Sequence, residues 1–224
     1  MEKFFEKQYK ILEEVENEKG LALFGNMSSF TWNSDPKRLL FVLSRYKFAA
    51  RMLEDCERVL EVGCGDGFAS RIVKQHVKYL LITDADEIMI RYANSIQTED
   101  YPISTMVHNF CNSKLKSSIT KFDGIYLLDV LEHINKKDED SFLRNIIMCG
   151  RKGGKVVIGM PSMESQVYAS EGSKQGHVNC KTKEELYEDL SDYFTSILCF
   201  SMNDEVIHTG YNRMSNYLFA VCTI

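Results

Sequence analysis

An apolar run that breaks into alternate glycines, Val59-Leu60-Glu61-Val62-Gly63-Cys64-Gly65-Asp66-Gly67, leaves few folds open to this chain of 224 residues. The run reads as a buried parallel strand and the glycines as a tight turn, with the amphipathic segment 68–76 as the helix that follows. Glycine reaches φ values that a Cβ forbids and lets a ligand approach the backbone. Glu61, at the strand end, offers a carboxylate that accepts hydrogen bonds from ligand hydroxyl or ammonium groups. A dinucleotide fingerprint would place its third glycine one position beyond Gly67. This chain has Phe68 there, which counts against a nicotinamide-dependent oxidoreductase.

Strand and helix signals alternate after the turn, the pattern of a parallel sheet covered on both faces. Strands are expected over 79–83, ending at Asp84, over 103–108, ending at Asn109-Phe110, over 122–128, ending at Asp129, and over 155–159. Helices are expected over 87–96 and 139–149. The polar residues named sit at C-terminal strand ends, the edge where open α/β sheets bind ligands. Residues 161–181 read as an irregular insertion containing His177, after which Thr182 and Glu185 form a capping box. Two final strands are expected over 194–201 and 216–222. The polar and aromatic segment between them, 202–211, is too long for a tight hairpin turn.

Ahead of the first strand, residues 1–19 have Phe4, Phe5, Tyr9, Leu12 and Val15 near helical spacing. Asp35-Pro36 starts a second helix over 39–53. Residues 1–55 are therefore expected to form a helical cap on a domain spanning 56–224. Two roles are open to it: a helical pair packed on the sheet edge, or a lid whose aromatic segment 24–33 closes over a site and excludes water. The formal net charge of −5 and the lack of a basic run count against a general nucleic-acid surface. Seven scattered cysteines without a C-x-x-C pair argue against a disulfide framework or structural zinc, and for reduced thiols in a cytoplasm. The N-terminus has no signal-peptide pattern, and no window nears the ~18 apolar residues of a membrane span. The expected partner is a small molecule, not a nucleic acid or a membrane.

With Glu61 two residues ahead of it, the G-x-G-x-G turn resembles motif I of the class I S-adenosylmethionine-dependent methyltransferases. From Arg58 to Ile158 the order of signals is similar to that family throughout. The resemblance implies a Rossmann-like α/β fold of seven strands in order 3-2-1-4-5-7-6, six parallel and the last antiparallel. It implies S-adenosyl-L-methionine as cofactor, released as S-adenosyl-L-homocysteine. Glu61, Gly63, Cys64 and Gly65 would line the cofactor, and Asp84 would take its ribose hydroxyls through two acceptor oxygens. Ala85 would lie under the adenine. Asn109, where the family often has Asp, would accept from the adenine amino group, with the Phe110 backbone nearby. The stretch from Phe122 to His133 matches the fourth-strand motif, which sets Leu128 and Asp129 by the methionine part. Arg45, ahead of Tyr46 and Lys47 beside it, would hold the cofactor carboxylate with its fork. Gly176-His177-Val178-Asn179 and the segment 200–211 with His208 resemble methyltransferases associated with bacterial surface-carbohydrate loci.

Methyl transfer is an in-line attack by a lone pair on a carbon attached to a sulfonium. The protein must add alignment, desolvation and, for some acceptors, removal of one proton. His177 and His133 are the candidate bases, with His208 a third. The ordinary readings beside these are an exposed loop histidine and a cap on the turn. Asp129, Glu132 and His133 cluster in sequence, but the fourth-strand motif accounts for them, and no metal is expected. The resulting expectation is methylation of oxygen or nitrogen on a small polar acceptor, such as a sugar or surface-carbohydrate precursor. The alternatives are a quinone or lipid-like ring methyltransferase and a catalytically silent, cofactor-binding partner subunit.

Overall fold

The computed structural model describes residues 6–116 and 118–224. Phe4 and Phe5, expected on the first helix, lie outside the described residues. The β-strands are β1 (Arg58–Val62), β2 (Tyr79–Asp84), β3 (Ser104–Val107), β4 (Phe122–Leu128), β5 (Gly150–Pro161), β6 (Ser196–Asn203), β7 (Val206–His208) and β8 (Tyr217–Thr223). The α-helices are α1 (Lys10–Lys19), α2 (Asn26–Ser34), α3 (Pro36–Met52), α4 (Ser70–Lys74), α5 (Glu87–Ser95), α6 (Glu139–Ile147), α7 (Glu171–Gly176) and α8 (Lys183–Ser191).

One sheet of eight strands runs β3-β2-β1-β4-β5-β8-β6-β7. Strands β1 to β5 pair in parallel, and β8 is inserted antiparallel between β5 and β6. This is the expected α/β Rossmann-like fold, with one strand more than the seven expected. The extra strand corrects the reading of 202–211 as a long connection. Ser201 pairs with His208, Met202 with Ile207 and Asn203 with Val206, so only Asp204 and Glu205 form the turn. Asp204 takes φ 50°, the left-handed conformation that short hairpin turns require and that Asp tolerates.

Alternate residues of the central strands feed two apolar layers, as the period of two demands. Leu60, Leu127, Val156 and Ile158 face Phe142 and Ile146 of α6 and Leu186 and Leu190 of α8. Val59, Leu80, Tyr126 and Val157 face Tyr46, Ala49 and Ala50 of α3, Val73 of α4 and Ile90 of α5. Helix α3 is therefore part of the core. Helix α1 has no buried residue, and Leu12 and Val15 are exposed. The expected amphipathic helix forms, and Val15 on its apolar face lines a cavity together with Phe68 and Ile72 of the body. An ion pair from Lys19 to Asp100 ties its C-terminal end to the body.

The segment 24–33, expected as an aromatic loop, is mostly helix α2. Asp66 in the glycine turn explains why: its carboxylate accepts from the Ser28 backbone N–H at 2.7 Å and the Ser28 hydroxyl at 3.2 Å. An acceptor borrowed from a distant segment thus satisfies one of the free N–H groups of the helix start. Phe24 adds an edge-on contact with Phe68, ring centroids 4.8 Å apart.

Candidate functional site

The C-terminal ends of β1 to β5 converge on one edge of the sheet. The turn after β1 passes through left-handed backbone at Gly63 (φ 74°) and Gly65 (φ 54°). A Cβ on Gly63 would meet Val130 Cγ2 at 2.4 Å, and one on Gly65 would meet Met27 Sδ at 2.8 Å. The start of α2 therefore lies directly on this turn. Cys64 is buried, and burial pushes its thiol far above the ordinary range. The half-buried Asp84 carboxylate accepts from the Gly65 N–H at 3.0 Å and the Asp86 N–H at 2.9 Å, one on each oxygen. Each oxygen keeps a second lone pair for a ligand hydroxyl. Ala85 and Asn109 are exposed beside it. The Asn109 side chain accepts from the Cys111 N–H at 2.9 Å, whereas Phe110 is buried edge-on against His108.

Two expected ligand groups are already committed within the protein. Glu61 is 1% exposed, with one carboxylate oxygen taken by the Tyr46 hydroxyl at 2.7 Å and the other by the Tyr126 hydroxyl at 2.6 Å. Burial raises its pKa to about 7, although the tyrosine hydrogen bonds pull the other way. Glu61 thus joins α3 to the sheet, with both oxygens engaged by tyrosines. Arg45 Nη1 donates to both oxygens of Asp129 at 2.8 Å, and its guanidinium stacks over Tyr217 at 3.9 Å. The fork expected to grip the cofactor carboxylate instead positions Asp129. That aspartate ends β4, next to the buried Leu128, at φ 58°. Such strain persists only where the surroundings hold it.

Beyond Asp129 a short turn carries Glu132 and His133, and the insertion after β5 returns to meet it. The Glu132 carbonyl accepts from the backbone N–H groups of Val178 and Asn179 at 2.8 and 3.0 Å. His133 and His177 stand as an edge-on pair with ring centroids 5.2 Å apart. His133 Nδ1 lies 2.9 Å from the Gly176 carbonyl, and His177 Nδ1 lies 2.8 Å from Gln166 Oε1. Both partners are acceptors, so Nδ1 carries a proton in each ring and Nε2 is turned away from that bond. Burial and the neighbouring His133 lower the His177 pKa, which keeps that imidazole neutral at pH 7. The Glu132 carboxylate is fully buried, and neither oxygen has a partner among the described residues. Burial and nearby Asp129 raise its pKa well above the carboxylate range.

His208 is elsewhere occupied: its two ring nitrogens pair with Asn203 and the Gly210 N–H in the β6–β7 hairpin. The floor of the insertion was not foreseen. Buried Lys181 binds Glu139 at 3.1 Å, Asp189 at 2.6 Å and Asn179 at 3.2 Å. Tyr46, Tyr126, Tyr217 and Gln166 also matter to the site more than local pattern suggests. Their roles depend on partners far away in the chain. A cavity of about 670 Å³ lies to one side, lined by Leu21, Phe68, Arg71, Ile96 and Tyr101. It includes neither Asp129 nor the histidine pair.

Residues 60–158 match the family model of the methyltransferase domain. No curated protein gives a significant match in sequence. Among solved structures, the N-methyltransferase NodS from Bradyrhizobium japonicum WM9, in complex with S-adenosyl-L-homocysteine, is similar at 19% identity and TM-score 0.66, covering 97% of this chain and 98% of that one. The methyltransferase domain of bacterial CtHen1-C is similar at 14% identity and TM-score 0.67, over 82% of this chain and 98% of that chain. A DhpI–SAM–HEP complex follows at 16% identity and TM-score 0.55, over 75% and 78%. Likeness at these identities establishes the fold, and the matched methyltransferase domain spans the glycine turn, Asp84 and the end of β4.

Proposed function

We propose that this methyltransferase acts on an oxygen or nitrogen of a small polar acceptor, a sugar or surface-carbohydrate precursor, held between Asp129 and the His133–His177 pair. The cofactor is S-adenosyl-L-methionine, which supplies a methyl group already activated on a sulfonium. The turn at Gly63 and Gly65 and the free lone pairs of Asp84 fit it: open backbone for close approach, and acceptors for vicinal hydroxyls. NodS is named an N-methyltransferase, which keeps nitrogen beside oxygen as the acceptor atom.

One observation carries the assignment of the acceptor end. Two imidazoles, each oriented through Nδ1, stand edge-on with ring centroids 5.2 Å apart beside Asp129 at the sheet edge. A hydroxyl attacks poorly while protonated, and a group that accepts or displaces its proton contributes ~100- to 10,000-fold. Arg45 holds Asp129, and α2 over the glycine turn excludes water. The test is an acceptor screen with labelled cofactor across nucleotide-linked sugars, amino-sugars and quinone-like rings. Methyl label in the sugars supports the reading, and label only in the rings overturns it. Asp84→Ala serves alongside: losing hydrogen bonds to a charged group costs ~1.5–3 kcal/mol each. Calorimetry with S-adenosyl-L-homocysteine should therefore show at least about tenfold weaker binding.

A further inference from the structure

Glu132 is the one carboxylate of the motif that nothing in the fold uses. Its residue is 0% exposed and both oxygens lack a hydrogen-bond partner. A buried, unpartnered carboxylate is costly, and native structures retain one only where something offsets the cost. His133 Nε2 lies 3.9 Å from its Oε1. His177 completes the group: one ligand atom from each of Glu132, His133 and His177 lies within 4.8 Å of the others.

We infer that Glu132, His133 and His177 form a binding site for one divalent first-row transition-metal ion. The donor set is two imidazole nitrogens and one carboxylate, which suits zinc, iron, cobalt, nickel or manganese better than the all-oxygen preference of magnesium. Both rings already have the outer hydrogen bond that metal-binding histidines use. Nδ1–H donates to the Gly176 carbonyl in one and to Gln166 Oε1 in the other, which fixes the tautomer and turns Nε2 toward the ion. Gln166 is oriented in turn, its Nε2 donating to the Ser162 carbonyl at 3.0 Å. Gly176 leaves room for the His133 ring, which would lie 3.2 Å from a Cβ there. Ligand atoms about 2.0–2.2 Å from an ion sit roughly 3–3.5 Å apart, so binding draws the three side chains inward by roughly 1 Å. Three protein ligands leave positions open, as in sites that act on a bound molecule.

The use of this ion rests on the methyl-transfer reading above; the ligand set does not. A hydroxyl of the acceptor bound in an open position becomes more acidic and gives its proton to solvent. Its oxygen lone pair then forms the new O–C bond as the C–S bond breaks, and the electron pair leaves on the sulfur of the thioether. Local sequence gives no sign of such a ligand set, because the third member, His177, is 44 positions beyond His133. Its return depends on the backbone bonds from Val178 and Asn179 to Glu132.

The test uses the full chain, stripped with a chelator and titrated separately with Co²⁺, Mn²⁺, Zn²⁺ and Mg²⁺ by calorimetry. Cobalt absorption reports the ligand field. One equivalent of Co²⁺ or Zn²⁺ should bind, with Mg²⁺ at least about tenfold weaker, as its preference for oxygen ligands requires. His177→Gln, a change at a half-exposed loop position, should weaken Co²⁺ binding at least about tenfold and alter the cobalt bands, in line with loss of a ligand. Glu132→Gln should do the same. S-adenosyl-L-homocysteine affinity, measured on the same samples, reports the cofactor site separately. Metal binding absent from the wild type, or unchanged in His177→Gln, overturns the site whatever the cofactor result. Loss of cofactor binding with metal binding intact overturns the methyl-transfer reading and leaves the site standing.

Discussion

Glu61 is held by two tyrosines in a place where its charge has no counter-ion, and that arrangement has a pH signature. Its pKa rises from 4.5 to about 7 in the fold, chiefly through burial. The protonated carboxyl is therefore favoured by folding. Its contribution is complete below about 4.5 and is lost as pH climbs through 7. The full linkage is roughly 3 kcal/mol. Thermal unfolding between pH 5 and 8 should show wild-type stability falling as pH rises, and Glu61→Gln should flatten that slope. Glu132 shifts the same way, so some slope remains in the variant. A slope unchanged by the substitution would mean that Glu61 ionises freely in the fold. Local pattern placed Glu61 at its strand end correctly but said nothing of its partners. Tyr126 is its cross-strand neighbour, and Tyr46 comes from a helix that no strand rule positions. The same holds for Arg45 and Asp129, which are 84 positions apart. A side chain's address is written locally, whereas its engagement depends on what the whole fold brings near.

At the scale of elements, α2 is the piece whose sequence is weakest and whose anchoring is most specific. It has no buried residue, and Met27, Phe30 and Trp32 remain exposed. Its tie to the body runs through Asp66, which receives Ser28 at the helix start. Losing a helix-capping acceptor costs ~1 kcal/mol. In Asp66→Ala, amide exchange across 26–34 should quicken by roughly fivefold or more by that estimate, with the exchange of β4 unchanged. Equal exchange in the two proteins would mean that packing, by Phe24 on Phe68, Met27 on the glycine turn and the helix along α3, anchors it without the cap. The strands and main helices were legible because apolar runs and alternation persist over several residues. Strand β4 has the expected bounds. Helix α2 was not legible, since Asn, Ser, Thr and aromatics are poor helix formers and its cap lies in another segment. The β6–β7 hairpin was missed for a related reason. Its turn, Asp204-Glu205, lacks the usual glycine signal.

On the scale of the whole molecule, a buried ionic floor joins the insertion to the body. Lys181 is 4% exposed at its side chain and neutralises Glu139 and Asp189 together. Removing one member of a buried pair leaves the other charge uncompensated, at ~3–5 kcal/mol. Lys136 still reaches Asp189 at 2.7 Å, which puts Lys181→Met at the low end of that range. Its melting temperature should drop by roughly 6–12 °C, given ~2–4 °C per kcal/mol for a chain of this size. A drop under about 2 °C, less than 1 kcal/mol on that scale, would make the floor dispensable. Just above the floor, Ser162 pairs with Lys181 in a single bridge, and the Met163 N–H donates to the Lys181 carbonyl at 2.8 Å. The chain thus leaves the sheet and re-enters it at one point. Everything between these two residues is a cassette closed at its base, which also touches the body through Val178 and Asn179 on Glu132 and through Asn179 on Glu139. Descendants of this sequence are free to exchange that cassette whole. On the proposed reading His177 and Gln166 travel inside it, so one recombination event would change both the acceptor and the means of activating it, while the cofactor machinery is inherited intact.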